Sequence, residues 1–330
     1  MTRLTSLFIS FILLSGCNDN THSPFDEILS QPAYSAITDS IKKEPQKDEL
    51  YFRRAVLLNE NNFPEPALAD FKKAWTLNKD EKYAFAVSTI LLENKPDSAI
   101  VFLDQATKEI PNSFLLKLSL ARAYDAQGKT NDALRLCNEM SEANPQQVDV
   151  LKLKASLLDK LKDPFSSLAI LEKAYALTPF DIELNYMLAL KYAESKNSKV
   201  LILCDSLIKK DSLKIHAEPY YYKGIYYSNI HDRINALNMF NTAIQHDYYF
   251  LDAYIEKGAV LYEQKKFNDA LKVFQLVNTI SATFADAYYW MGKCQQALGQ
   301  KDEARTNYQR AYGLDKTFIE AKDSADRIKN

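Results

Sequence analysis

One pattern recurs every 34 residues and limits what this chain can fold into. Tyr220, Lys223, Gly224, Tyr227, Ala236, Phe240 and Ala243 return as Tyr254, Lys257, Gly258, Leu261, Ala270, Phe274 and Val277. They return again as Tyr288, Met291, Gly292, Gln295, Ala304, Tyr308 and Ala311. Units of this length cannot bury an apolar face alone, so neighbouring copies must stack and share a core. The 330 residues, enough for two ordinary domains or one elongated array, are thereby assigned to an array. Glycine is scarce at 7 residues and proline modest at 11, so helices meet few interruptions and an all-helical chain is expected.

Small residues at fixed places with aromatics between them resemble the tetratricopeptide repeat. That resemblance implies two antiparallel helices, A and B, per copy. Ala, Gly or Ser stands at repeat positions 8, 20 and 27, where the helices meet most closely, and large apolar residues stand at 4, 7, 11, 17 and 24. The phase extends outward from the three clear copies. Ala121, Tyr124, Gly128, Ala133 and Pro145 fit 114–147; Leu151, Ala155, Leu158, Leu171, Ala174 and Pro179 fit 148–181. Tyr83, Ala99, Leu103, Ala106 and Pro111 fit 80–113, and Tyr51, Ala55, Ala67, Phe71 and Ala74 fit 48–81. The expected fold is all-α, a right-handed α-solenoid of stacked antiparallel helix pairs with about eight repeats. The copies are 48–81, 80–113, 114–147, 148–181, 182–216, 217–250, 251–284 and 285–318. A half repeat at 28–47, with Pro32–Lys43 as a lone B-like helix, precedes them, and a polar capping helix at 319–330 follows. The copy at 182–216 departs from the pattern. It has Leu201 and Asp205 where alanine and an aromatic belong, plus one extra residue. Looser packing, a bend and a joint between two halves are expected there.

Residues 1–16 read as a secretory signal peptide: Arg3, then the apolar run Leu7 to Leu14. It ends in Leu14-Ser15-Gly16-Cys17, which resembles the bacterial lipobox. The resemblance implies acylation of Cys17, cleavage before it, and a flexible tether over 17–27. The plainer alternative is an ordinary signal peptide with an incidental cysteine. The expected location is the bacterial cell envelope, lipid-anchored at the outer membrane. Formal net charge is -2, and loss of Arg3 leaves 40 minus 43, or -3, which gives no electrostatic footprint for nucleic acid.

No glycine-rich phosphate loop, His-Glu-x-x-His pattern or nucleophile elbow is present. No catalytic residue, cofactor or metal is expected. His216, His231 and His246 read as turn residues, and Cys137, Cys204 and Cys294 as small buried hydrophobes. Asp252, Asp286 and Glu320 recur at position 2, where they complement the positive end of helix A. Tyrosine carries the stronger signal: 11 of 20 lie between 217 and 290. Tyr220, Tyr254 and Tyr288 hold core positions. In the tetratricopeptide family, positions 2, 5, 9, 12 and 13 line a concave face. The resemblance places Tyr186, Tyr221 and Tyr289 at 5, Ile225 at 9 and Tyr262 at 12, with Asn229, Glu263 and Lys293 beside them. Tyrosine offers apolar area and a polar tip at low entropic cost, which suits a binding groove; the plainer reading is that a tyrosine-rich array exposes some of its rings. The expected function is a membrane-anchored scaffold that binds an envelope protein or peptide in the groove. The alternative is a surface glycan- or small-ligand-binding lipoprotein.

Overall fold

The computed structural model describes residues 24–213 and 215–328. Cys17 and the signal peptide lie outside the described residues. The described chain is 79% helix, with no strand and 19 helices in consecutive paired packing. It divides into two compact units, one running to Gly128 and one starting at Lys129.

The first unit holds α1 (Asp26–Leu29), α2 (Pro32–Lys43), α3 (Asp48–Glu60), α4 (Pro64–Leu77), α5 (Glu81–Asn94), α6 (Pro96–Glu109) and α7 (Phe114–Ala126). Its core joins Tyr34 of α2, Ala55 and Leu58 of α3, Ala67 and Phe71 of α4, Val87 and Leu91 of α5 and Ala99 of α6. Arg54 and Asp70 form a buried two-pronged pair, Nε to Oδ2 at 2.6 Å and Nη2 to Oδ1 at 2.8 Å. Arg54 Nη1 also donates to Thr38 Oγ1 at 3.0 Å, so one guanidinium links α2, α3 and α4.

The second unit holds α8 (Thr130–Ala143), α9 (Val148–Lys160), α10 (Pro164–Leu177), α11 (Ile182–Glu194), α12 (Lys199–Lys210) and α13 (Glu218–Asn229). It continues through α14 (Arg233–His246), α15 (Leu251–Glu263), α16 (Phe267–Ile280), α17 (Ala285–Ala297), α18 (Lys301–Leu314) and α19 (Ile319–Arg327). Each helix pairs with the next, as the repeat requires.

Local chemistry sets the helix ends. Proline opens α2, α4, α6 and α10, where its missing N–H goes unused. The side chains of Asp80, Ser113, Asp163, Asp181 and Asp232 accept from the first turns of their helices. Each A helix but α5 is followed by a left-handed residue at repeat position 15. Gly128 and Gly299 serve there, but so do Asn62, Lys162, Lys196, His231 and Lys265, with φ from 57 to 63°.

In the last three repeats the A and B helices approach closely. A β-carbon on Gly224 would stand 2.5 Å from Phe240 Cε1, and one on Gly258 2.4 Å from Phe274 Cε1 and Cζ. One on Gly292 would stand 2.8 Å from Tyr308. Position 8 must therefore be glycine wherever such a ring fills position 24 this tightly.

The 182–216 copy is built differently from the expectation. Leu201 and Asp205 do not take the places of alanine and the aromatic. The buried residues of α12 are Val200, Leu203, Cys204 and Leu207, and Val200, Cys204 and Leu207 each stand one place earlier than the repeat demands. Asp205 points outward to Lys223 Nζ at 2.7 Å. The helix has slipped by one residue, and the connection to α13 absorbs the slip by running over 211–217, against 247–250 after α14. Packing is not loosened, because Val200 and Cys204 lie in one core with Leu171, Leu188, Ala189 and Tyr226.

Two stability changes test this account by denaturant unfolding. Gly258→Ala should destabilise the second unit by about 1–3 kcal/mol, because the Phe274 ring has to move. Lys265→Gly should stabilise it by about 0.5–1 kcal/mol, because glycine relieves the left-handed backbone.

Candidate partner-binding face of the second unit

The A helices α11, α13, α15 and α17 pack successively against one another. They therefore bring their equivalent positions onto one face. Tyr186 is half-buried, its ring 5.8 Å from Tyr222 and 6.4 Å from His216, and burial pushes its hydroxyl up to about 12. Tyr221 is half-buried, with its ring 4.9 Å from Phe250 and 6.0 Å from Phe240, and burial raises its hydroxyl strongly. Ile225 is half-buried against Phe240 and Val260. Asn229 is tied inward: its amide donates to the Ala193 carbonyl at 3.1 Å and links α13 to α11.

Tyr262, Tyr289 and Lys293 come together around a hollow of about 370 Å³, with Gln296, Tyr308 and Glu320 on its walls. Lys293 Nζ lies 4.3 Å from the centre of the Trp290 ring, 5.4 Å from Tyr289 and 5.5 Å from Tyr262. Such a cation is held by the faces of three rings. Tyr289 itself is only 6% exposed. Its hydroxyl donates to the Glu320 carboxylate of α19, and its ring lies 4.7 Å from Phe318. Of the three, Tyr262 and Lys293 are the half-exposed groups. Glu263 is exposed beside them.

Sequence reasoning missed Glu256. It stands at repeat position 6, where the flanking copies carry Tyr222 and Trp290, so a carboxylate replaces a ring. That substitution was visible in the aligned copies. Glu256 is half-buried, and burial, then the neighbouring charges of Asp252 and Glu263, hold its pKa above the ordinary carboxyl range. Among the described residues no cation pairs with it. The earlier part of the face is different. Lys152 bonds Asp181 and Glu183, and Lys191 lies 3.0 Å from Asp159 and 2.6 Å from Glu194. The carboxylates of α9 and α11 are thus matched with lysines, whereas those of α15 are not.

This arrangement can receive cationic and apolar groups. Cys137, Cys204 and Cys294 are fully buried, and burial pushes the Cys204 and Cys294 thiols up to about 12, far from thiolate formation at neutral pH. Among the described residues no group of three or more His, Cys, Asp or Glu side chains is placed to hold a metal ion. His246 stacks on Tyr220 at 4.7 Å, and His231 occupies a left-handed turn. No helix among the described residues is long and apolar enough to cross a membrane.

Two stretches, 91–157 and 286–312, match family profiles described as tetratricopeptide repeat. The fold is similar to a crystal structure of a tetratricopeptide repeat protein from Parabacteroides merdae ATCC 43184, with 15% identity and a TM-score of 0.58 over 86% of this chain and 99% of that one. It is also similar to Cut9-Hcn1, an APC/C hetero-tetramer, with 14% identity and a TM-score of 0.54 over 90% of this chain and 59% of that one. At these identities the likeness is one of fold. A comparison with curated protein sequences gives no match. The chain is an all-α solenoid, two stretches of which match the tetratricopeptide repeat.

Because the pKa of Glu256 is higher folded than unfolded, its ionisation opposes folding. That group's stability contribution is complete below the unfolded carboxyl value of 4.5 and is lost as pH rises through the folded value. Glu256→Gln should therefore raise the melting temperature at about pH 7, and the gain should vanish near pH 4. A gain of equal size at both pH values would contradict the burial of this charge.

Proposed function

We propose that the chain is a non-catalytic scaffold of the bacterial cell envelope, anchored through an acylated Cys17, that holds a segment of a partner protein on the A-helix face of its second unit. The observation that carries this reading is the half-buried carboxylate Glu256, which lies near Asp252, Glu263 and Tyr221 and pairs with no cation among the described residues. A buried charge left without its counter-ion is costly. A lysine or arginine from a bound segment supplies that counter-ion, and the flanking phenol rings pack on its alkyl stem and neighbours. The repeats support a partner of protein, because stacked A helices present one continuous face to an extended chain or a helix. The anchor rests on the order of Arg3, the apolar run and Leu14-Ser15-Gly16-Cys17.

Cross-linking and affinity purification of the full chain from the native envelope test the face. Tyr262→Ala combined with Glu256→Gln should lower recovery of the specific partners at least about tenfold, the loss of one good ionic or aromatic contact. Equal recovery by both forms would overturn the assignment of this face. For the anchor, Cys17→Ser should abolish palmitate labelling and move the chain out of the membrane fraction. Unchanged membrane retention would remove the lipid anchor from the proposal.

A further inference from the structure

The tyrosine at repeat position 4 does the same work in several copies. Tyr51 and Tyr288 each place a ring against the start of their repeat, and each hydroxyl donates to the carbonyl six residues upstream, Pro45 and Ala282, both at 3.1 Å. Tyr220 fills the equivalent place by stacking on His246, and Tyr254 by lying 6.3 Å from Tyr248. In the 182–216 copy position 4 is Asn185. Its amide reaches the carbonyl six residues upstream, that of Pro179, at the same 3.1 Å. The hydrogen bond is kept and the ring is gone. A hollow of about 300 Å³ remains, walled by Asn185, Tyr186, Leu207 and Pro219. Lys210 at the end of the slipped helix α12, with Asp211, Ser212 and His216 after it, completes the wall.

Apolar side chains stand exposed at the mouth of this hollow. Phe180 is 85% exposed, Leu213 74% and Ile215 60%, with Lys210, its Nζ 5.1 Å from the centre of the Phe180 ring, Asp211 and His216 beside them. Exposed apolar residues gathered around one opening mark an interaction site. Tyr186 belongs both to this wall and to position 5 of the A-helix face, so a segment lying along that face passes the opening.

We infer that this pocket takes one aromatic side chain of the bound partner, an inference that rests on the partner-binding reading of the adjoining face. The repeat itself names the occupant. At this place five sibling copies hold a six-membered ring from their own A helix, Tyr51, Tyr83, Tyr220, Tyr254 and Tyr288, whereas 114–147 and 148–181 carry Lys117 and Leu151; here the walls remain while the ring is missing. The upstream carbonyl is already engaged by the Asn185 amide, while the Asn185 Oδ1 is buried without a partner, so a phenol that brings apolar area and one hydroxyl donor meets both needs.

N-acetyl-L-tyrosinamide is the probe, titrated into the full chain and followed by calorimetry or NMR. Wild type should bind it saturably, with a dissociation constant of about 1 mM as befits so small a ligand. Asn185→Tyr restores the sibling ring. It should melt at or above the wild-type temperature and bind the probe at least about tenfold more weakly. Phe180→Ser changes an exposed residue that folding does not need, and should weaken binding several-fold. Phe165→Ser, at an exposed residue outside the pocket, should bind as wild type does. Absence of saturable binding to wild type, or unchanged binding by both Asn185→Tyr and Phe180→Ser, would overturn the pocket. The two readings separate in the partner-recovery assay. Recovery that falls with Tyr262→Ala plus Glu256→Gln but not with Asn185→Tyr keeps the face and overturns the pocket. Recovery that falls with Asn185→Tyr supports both.

Discussion

An aromatic ring lying where a β-carbon would otherwise be is the contact on which the tyrosine-rich end of this chain depends. Gly224, Gly258 and Gly292 let Phe240, Phe274 and Tyr308 press onto the backbone of the preceding helix. That approach fixes how deeply helix B seats against helix A. Close seating buries Ala236 and Ala243, or Ala304 and Ala311, completely, and leaves the other side of each A helix free to meet the next A helix. The functional face follows from the same geometry. Positions 5, 6, 9 and 12 of successive A helices are brought side by side only because positions 8 and 24 hold each pair at one spacing.

Desolvation of charge has opposite outcomes in the two units. In the first, Arg54 meets Asp70 through two hydrogen bonds and Thr38 through a third, so the buried ions satisfy one another. Burial still raises the Asp70 pKa, while Arg54 pulls it down. In the second unit burial raises the pKa of Glu256, and its charged neighbours Asp252 and Glu263 raise it further. The first arrangement is closed and structural. The second is open, and a scaffold that leaves it open gives up stability in its free state that a cationic partner can restore.

The fold was legible because a 34-residue period with small residues at fixed places admits few other solutions. The left-handed turns at position 15 were less so, because five of them carry side chains in place of glycine and so leave no signature. The slip of α12 was hidden by the period itself. A copy read in a fixed phase shows Leu201 and Asp205 as faults, whereas Val200 and Cys204, one place earlier, are the small and compact residues the core receives. Of the face residues read from the repeat positions, Tyr262 and Lys293 lie beside one hollow. Tyr289 stands at a face position yet is covered, because it is in the last full copy and the capping helix brings Glu320 and Phe318 over it. No positional rule for an interior repeat contains that neighbour.

Departures from the repeat are therefore not all of one kind. A residue that is wrong for its position but corrected by a slip, as in α12, restores the core. A residue that keeps the hydrogen bond of its siblings but not their ring, as Asn185 does, leaves walls without an occupant. A residue that exchanges a ring for a charge without gaining a counter-ion, as Glu256 does, leaves an electrostatic demand. In a protein made of near-copies the siblings act as an internal reference, showing what each place holds when stability alone decides. Asn185 and Glu256 fail that comparison in complementary ways, one lacking apolar volume and the other lacking a cation. An extended segment carrying an aromatic residue and, further along, a basic residue would meet both deficits along the A helices from α11 to α15.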